Sequence, residues 1–212
     1  MATTAPFEAA TPTPTHTQPQ PLSPGAAFLS YLVPGLGQIV QGRVGKGVLF
    51  LVCVYTLFFY GMYLGTGSAV VDGKEYRLTS NVYLPSEVEE RGVVSNWPRL
   101  AADLYNRPQF LGQFWMGVVV WPAIYQYATN DDQKRQALDR EEEDKRERIQ
   151  GFMRTPSNRA LNAVHTTNSK IIDLGWVYTV IAGVLNIMVI YDALAGPAYP
   201  PVSMEPTEKA VT

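Results

Sequence analysis

Long uncharged stretches alternate with charged connections along this sequence. No charged residue lies between Glu8 and Arg43, and none lies between Lys46 and Asp72. An apolar stretch of about 18 residues or more is long enough to cross the ~30 Å hydrocarbon core of a bilayer as a helix. The pattern therefore predicts an all-α membrane protein, built from an N-terminal helical hairpin and two further transmembrane helices.

The same pattern divides the chain into seven segments. A soluble helical protein is the competing interpretation, but its helices would carry a polar stripe on one face, which the long apolar segments lack. The segments are a disordered Thr/Pro-rich tail (1–24), a transmembrane hairpin (25–65), an extracytoplasmic loop (66–109), a transmembrane helix (110–128), a charged cytoplasmic helical arm (129–172), a transmembrane helix (173–195) and a flexible tail (196–212).

The first apolar stretch, residues 26–40, allows two paths through a bilayer. As a helix it would be about 22 Å long, which is shorter than a hydrocarbon core. It is also interrupted by Pro34-Gly35. It either spans a thinned bilayer or enters and returns to the same side, and the side of the N-terminus depends on which path it takes.

The distribution of Lys and Arg predicts the orientation. With four alternating spans, eleven of these residues fall in the turn 41–47 and the arm 129–172, against five in the loop 66–109. The excess places the turn and the arm in the cytoplasm and both termini outside it. The predicted location is the inner (cytoplasmic) membrane, with several passes.

The two larger connections differ in kind. Asp72-Gly73 is a hairpin-turn dipeptide, and the flanking stretches 69–71 and 75–78 are of β type, which predicts a small extracytoplasmic β-hairpin. In contrast, residues 131–150 carry acidic-to-basic pairs at i,i+4 spacing, which predicts a mixed-charge helix. A solvated helix and a surface for a protein partner both fit this charge pattern.

Composition and charge narrow the function classes. A net charge of -2 provides no sustained basic patch, so no nucleic-acid partner is expected. Cys53 is the one cysteine, and no group of residues has metal-ligand spacing. The glycines between Gly35 and Gly47 lack the spacing of a phosphate-binding loop. We therefore predict no catalytic residue, no metal and no cofactor.

Two groups of residues are candidates for contacts with lipid and between helices. Arg43 and Lys46, at the tip of the hairpin, are placed to contact anionic lipid headgroups. Gly175, Thr179 and Gly183 recur every four residues, which predicts a face for helix packing.

Three polar residues within the apolar stretches are candidates for an intramembrane site. They are Gln113, Asn186 and Asp192. Polar groups inside a membrane are a reason to consider function, because their burial is costly. Asp192 lies about one turn before the helix end at Gly196-Pro197, so we expect it at the outer interface.

Two stretches near the N-terminus carry a family resemblance. Residues 28–38 and 42–50 resemble the two-helix hairpin of the TM-two domain family, with a Gly-rich first helix, a Gly-Arg turn and a second helix that opens with Gly. The whole-chain pattern, including residues 177–186, looks like a bacterial four-helix membrane family of unknown function. The resemblance implies a fold and no activity.

Three functions remain open from the sequence. The leading hypothesis is a non-enzymatic structural or interaction protein (a scaffold or assembly factor) that sits in the lipid bilayer. It would bind a protein partner through its charged arm or associate as a homo-oligomer. The alternative is a small transporter or channel subunit that uses Gln113, Asn186 and Asp192. A membrane-bound enzyme is a weaker alternative.

Overall fold

The computed structural model describes residues 22–71, 73–84, 99–129, 152–156 and 158–197. The predicted mixed-charge helix 131–150 and most of both predicted tails lie outside the described residues. The described chain is mostly helical, with one small antiparallel sheet. Its elements are α1 (Pro24–Leu32), α2 (Leu36–Val40), α3 (Val44–Leu64), β1 (Gly67–Val71), β2 (Lys74–Leu78), α4 (Arg99–Asn106), α5 (Gln109–Phe114), a 3₁₀ turn (Gly117–Val120), α6 (Trp121–Thr129) and α7 (Asn158–Ala195).

Two helices in the described ranges are long and apolar enough to cross a membrane. They are Val44–Leu64, which is α3, and Lys170–Ala195, which is the greater part of α7. In the most apolar 18-residue stretch of each helix, only 28% of the residues of α3 and 33% of those of α7 are buried. About half of the apolar side chains of the two helices are exposed on the described structure.

Helices α3 and α7 pack antiparallel along their length. Gly61 faces Thr179 so closely that an added Cβ would lie 2.8 Å from the backbone nitrogen of Thr179. Near the start of α3, Lys46 bonds to Asp192, close to the end of α7. Small residues at such a contact allow helix backbones to approach each other.

Two charged residues mark the two ends of this helix pair. Asp192 lies beside the first turn of α3, next to Lys46. Arg107 lies beside the last turn of α3, because its guanidinium donates to the carbonyl oxygen of Asn81 (2.9 Å), and the Asn81 amide donates to that of Gly61 (3.1 Å). We call these ends the Asp192 end and the Arg107 end.

The stretch 26–40 enters the fold from the Asp192 end and returns to it. The backbone N–H of Ser23, before α1, donates to Leu194 (2.9 Å). Near the end of α1, the carbonyl oxygen of Ser30 accepts from the Asn186 side chain (3.3 Å). On α2, the Gln38 amide then reaches back to a backbone carbonyl oxygen near the Asp192 end (2.8 Å). Within the described fold the stretch therefore turns back, and its path through a bilayer stays a prediction.

The single transmembrane helix predicted over 110–128 is not present. The chain forms α5, the 3₁₀ turn and α6 instead, and the direction changes at Gly117. Gly117 has φ 69°, a left-handed conformation that favours glycine, and any Cβ there would overlap the carbonyl oxygen of Tyr31. Pro122 lies in the first turn of α6, where its missing backbone N–H is tolerated, so a new helix begins there.

Helix α6 returns to the end from which α5 started. The Tyr127 hydroxyl donates to the carboxylate of Asp103 (2.7 Å), one helical turn before Arg107. Residues 109–129 therefore form a second half-length hairpin, which enters from the Arg107 end. The four predicted spans are replaced by two full-length helices and two half-length hairpins.

The two hairpins meet halfway along the helix pair. The ring of Tyr31, in α1, lies 5.8 Å from the ring of Phe114 and 6.3 Å from that of Trp115. Both hairpins bond to Asn186, which is about midway between the two ends of the α3–α7 contact. Around this level lies an apolar core that includes Phe58, and the wider core includes Val54, Met62, Val82, Phe110, Met116, Val120, Ala123, Met153 and Ala182.

The predicted β-hairpin is confirmed as an element of structure, and its extracytoplasmic side stays a prediction. Strands β1 and β2 are antiparallel, with Gly67 opposite Leu78 and Val71 opposite Lys74. The sheet packs on the first turns of α7, where Leu78 shares a cluster with Val164 and its neighbours. The hairpin therefore lies at the Arg107 end.

Candidate functional site

Asp192 is the acceptor at the centre of a charged cluster at its end of the helix pair. Its carboxylate lies 2.8 Å from the Arg43 guanidinium and 2.6 Å from the Lys46 ammonium. The Gln38 amide donates a third hydrogen bond (3.2 Å). The sequence placed Asp192 and the Arg43–Lys46 turn on opposite sides, and this expectation is wrong, because the half-length hairpins bring both to one end.

The two basic residues of the turn are therefore bonded within the protein. The side chain of Arg43 is 18% exposed and that of Lys46 is 44% exposed. Arg43 is further held by the side-chain oxygen of Gln41 (2.9 Å). Of the two, only Lys46 retains substantial exposed surface. Arg43 is therefore less accessible for the predicted contact with lipid headgroups than the sequence indicates.

A second polar cluster lies around Asn186, about midway between the two ends of the helix pair. Its side-chain amide donates to the carbonyl oxygens of Trp115 (2.7 Å) and Ser30 (3.3 Å). The Ser30 hydroxyl donates to Gln38 Oε1 (3.0 Å) and accepts from the N–H of Gly37 (3.1 Å). The last carbonyls of a helix have no partner within it. Asn186 therefore supplies donors to the carbonyl ends of both α1 and α5.

The third polar cluster lies at the Arg107 end. The Gln113 amide donates to the hydroxyl of Thr179 (2.8 Å) and more weakly to the Asn81 carbonyl (3.4 Å). The Arg107 guanidinium donates to the same carbonyl oxygen (2.9 Å). Asn81, Arg107, Gln113 and Thr179 are all buried, so this polar group is enclosed by the fold.

Arg107 is held between two aromatic rings. Its guanidinium carbon lies 3.4 Å from the ring centre of Tyr83 and 4.7 Å from that of Trp176. Burial lowers the pKa of Arg107, since desolvation disfavours the charged form. The nearby Tyr83 hydroxyl raises the pKa of Arg107 and so offsets part of this shift. The hydroxyl is not positioned for a hydrogen bond to the guanidinium. Arginine keeps its charge in proteins, so this is a buried cation.

The three predicted intramembrane residues do not form one site. Gln113, Asn186 and Asp192 each belong to a different cluster, at successive levels along α7. Sequence reasoning missed Arg107, because an arginine before a proline in a loop is typically solvent-exposed. Its burial depends on Asn81 and Tyr83, which are distant in sequence.

The predicted packing residues lie at close backbone contacts. Gly175 and Thr179 face α3, at Gly65 and Gly61 respectively, and Gly183 faces the backbone of α5. In the part of the chain that the structure describes, no group of three or more His, Cys, Asp or Glu side chains could hold a metal ion.

Comparison with known proteins adds a family and no activity. The model of a family of unknown function, DUF6677, matches residues 25–206 of the 212-residue chain. No curated protein and no solved structure matches the chain. The family's description names no substrate or partner, so a functional conclusion depends on the geometry of this chain.

Proposed function

The chain belongs to the DUF6677 family of unknown function, and we propose from its geometry that it is an integral membrane protein with a non-enzymatic structural or interaction role. The observation that carries this proposal is the pair of half-length hairpins that enter from opposite ends and meet at mid-depth between two long apolar helices. In hydrocarbon, irregular backbone is tolerated only where protein covers it. The contacts among the hairpins and α7 provide that cover.

Exposed apolar side chains support the membrane placement. Leu49 and Phe59 on α3 are 59% and 50% exposed, and Met188 on α7 is 64% exposed. Contiguous apolar surface of this kind is rare on soluble monomers. Lipid is the solvent that would cover it along the full length of both helices.

The ends of the fold favour an orientation for the protein in the inner membrane. The segments 66–108 and 129–172 both leave and rejoin the described fold at the Arg107 end. Together they carry fourteen of the 17 Lys and Arg residues, whereas Arg43 and Lys46 lie at the Asp192 end and Lys209 lies outside the described residues. By the positive-inside bias, we place the Arg107 end in the cytoplasm. This reverses the sides predicted from the sequence for the Arg43–Lys46 turn and for the loop 66–109, since the turn then faces the opposite side and the loop faces the cytoplasm.

Close backbone packing supports a structural role. Cβ atoms added at Gly37, Gly117 or Gly183 would overlap a backbone carbonyl oxygen from another element. The carboxylate of Asp192 is bonded to three donors. A partner would then bind outside this packed region, and the charged arm 129–172, at the proposed cytoplasmic end, is the surface that we expect it to use.

Cysteine labelling tests the membrane placement and the orientation together. In a Cys53→Ser background, we would introduce Glu75→Cys in β2 and Gly45→Cys at the start of α3, where an added Cβ has open space. We expect a membrane-impermeant maleimide to label Gly45→Cys in intact cells and Glu75→Cys only in inverted vesicles. The opposite result would refute the orientation. Extraction of the protein by alkaline carbonate without detergent would refute membrane insertion.

A small transporter or channel subunit is the second candidate. It is favoured by Gln113 Oε1 and Asn186 Oδ1, which are buried and have no hydrogen-bond partner among the described residues. Broken helices and polar groups at mid-depth also occur together at transporter sites. If Asp192→Asn abolishes a growth phenotype while membrane insertion is normal, transport is favoured. If deletion of residues 131–159 abolishes the phenotype, a scaffold role is favoured.

A further inference from the structure

Unpaired polar atoms are concentrated at the Arg107 end. Within the described ranges, six buried side-chain nitrogen or oxygen atoms have no hydrogen-bond partner. Four of the six belong to one group of contacting residues: Nε of Arg107, the hydroxyl of Tyr83, Oδ1 of Asn81 and Oε1 of Gln113. A buried polar atom without a partner has lost its hydration with nothing to replace it, so four together call for an explanation.

The Arg107 guanidinium also has no bonded counter-ion among the described residues. Arg107 is 6% exposed, and no carboxylate among the described residues bonds to its guanidinium. One carbonyl oxygen and two aromatic rings are its described partners. Cation–π contacts replace only part of the hydration free energy that a buried ion loses. An anionic partner would restore the balance.

We propose that Arg107, Tyr83 and Asn81 form a binding site for a phosphate-type anionic group. The Nε–H of Arg107 and the hydroxyl of Tyr83 are two unpaired donors, and an oxyanion accepts from both. A guanidinium is suited to this role because its planar fork matches the oxygens of a phosphate. Asn81 holds the guanidinium in place, because its backbone carbonyl oxygen accepts from Arg107 (2.9 Å).

The position of the site indicates how a ligand reaches it. Trp176 is only partly buried, so the site borders the protein surface. Arg107 also lies at the end of the apolar helix pair, which is the depth of lipid headgroups if the proposed membrane placement holds. A phospholipid headgroup and a free phosphate of the aqueous phase share the required chemistry, and experiment can distinguish them.

The experiment uses the full-length protein purified in a mild detergent. Native mass spectrometry would identify any phospholipid that remains bound. The delipidated protein would then be titrated with inorganic phosphate, with short-chain phosphatidylglycerol and with a diacylglycerol of the same chains, while the thermal unfolding midpoint is followed. A ligand that binds the folded state raises this midpoint.

Matched variants locate the site. Tyr83→Phe removes only the hydroxyl, and we expect it to weaken binding about tenfold, as for loss of one hydrogen bond to a charged group. Arg107→Gln should abolish binding, and Arg77→Gln, an exposed arginine at the same end, should leave it unchanged. Stabilisation by phosphatidylglycerol alone identifies a headgroup as the ligand, and stabilisation by inorganic phosphate identifies a free anion.

Three results would overturn the proposal. The first is no stabilisation of the wild type by either anionic probe. The second is Tyr83→Phe binding as tightly as Arg77→Gln. The third is a Glu87→Gln, Glu89→Gln or Glu90→Gln variant that lowers the unfolding midpoint as much as Arg107→Gln does, because the anion would then belong to the chain itself. If the protein is soluble without detergent and still binds phosphate, the membrane placement is refuted but the proposed binding site is supported.

Discussion

The side-chain amide of Asn186 lies 2.7 Å from the carbonyl oxygen of Trp115, at the level where the two half-length hairpins meet. The same amide also bonds to the carbonyl oxygen of Ser30. One side chain of α7 thus holds the inner ends of both hairpins. A substitution at Asn186 therefore tests whether the two hairpins meet at α7.

Replacing Asn186 by leucine should destabilise the protein. The change keeps the size of the side chain but leaves the Ser30 and Trp115 carbonyls without this donor, so we expect a loss of about 1–3 kcal/mol in the free energy of unfolding. Denaturant titration in detergent would measure it. Asn162→Leu, at an exposed position of the same helix, is the control and should change stability little. Equal stability of the two variants would contradict the bridging role of Asn186.

Alanine at Gly117 should disrupt the meeting of the hairpins. The new Cβ would overlap the carbonyl oxygen of Tyr31, and the left-handed φ of 69° is strained for alanine. We expect a loss of about 2 kcal/mol or more, because both overpacking and backbone strain contribute. The thermal unfolding midpoint would report it. Gly45→Ala is the control, since that position is open and helical. It should match or exceed the wild-type midpoint.

Removing the charge of Asp192 should weaken the contact between the ends of α3 and α7. Asp192→Asn leaves Arg43 and Lys46 without their carboxylate, and the partial exposure of the cluster limits the expected loss to about 1 kcal/mol. The loss should be larger at low salt, where charge interactions are less screened. Asp173→Asn, with a more exposed side chain on the same helix, is the matched control.

A charge swap provides a sharper form of the same test. The double variant Arg43→Asp with Asp192→Arg restores an ion pair with the charges exchanged. Arg43→Asp alone places two carboxylates near each other, and Asp192→Arg alone places three cations together, because Lys46 also contacts this position. The double variant should be more stable than either single variant. Strict additivity of the two losses would show that the residues are not coupled.

The core between α3 and the second hairpin can be tested with two adjacent phenylalanines. Phe58 is fully buried and Phe59 is 50% exposed on the outer face of the same helix. Phe58→Ala should lower the free energy of unfolding by about 3–5 kcal/mol through lost packing and a cavity. Phe59→Ala should have a much smaller effect in detergent. Similar losses for both variants would show that Phe58 is not packed more tightly in the core than Phe59.

The sequence alone identified the features that depend on local composition. The long apolar stretches of α3 and α7 and the Asp72-Gly73 hairpin signal predicted elements that the structure contains. These predictions succeed because apolar length and turn chemistry are properties of neighbouring residues.

Tertiary structure decided which apolar stretches run the full length of the fold and which turn back. Hydropathy measures the transfer of side chains out of water, and it has the same value for a helix that crosses and for a hairpin that re-enters. The reversals at Gly35 and Gly117 depend on backbone contacts with Gly47 and Tyr31, respectively. The Arg43–Asp192 pair joins positions 149 residues apart. Such partners come together only through the packing of the whole fold, because no local pattern encodes a contact at that separation.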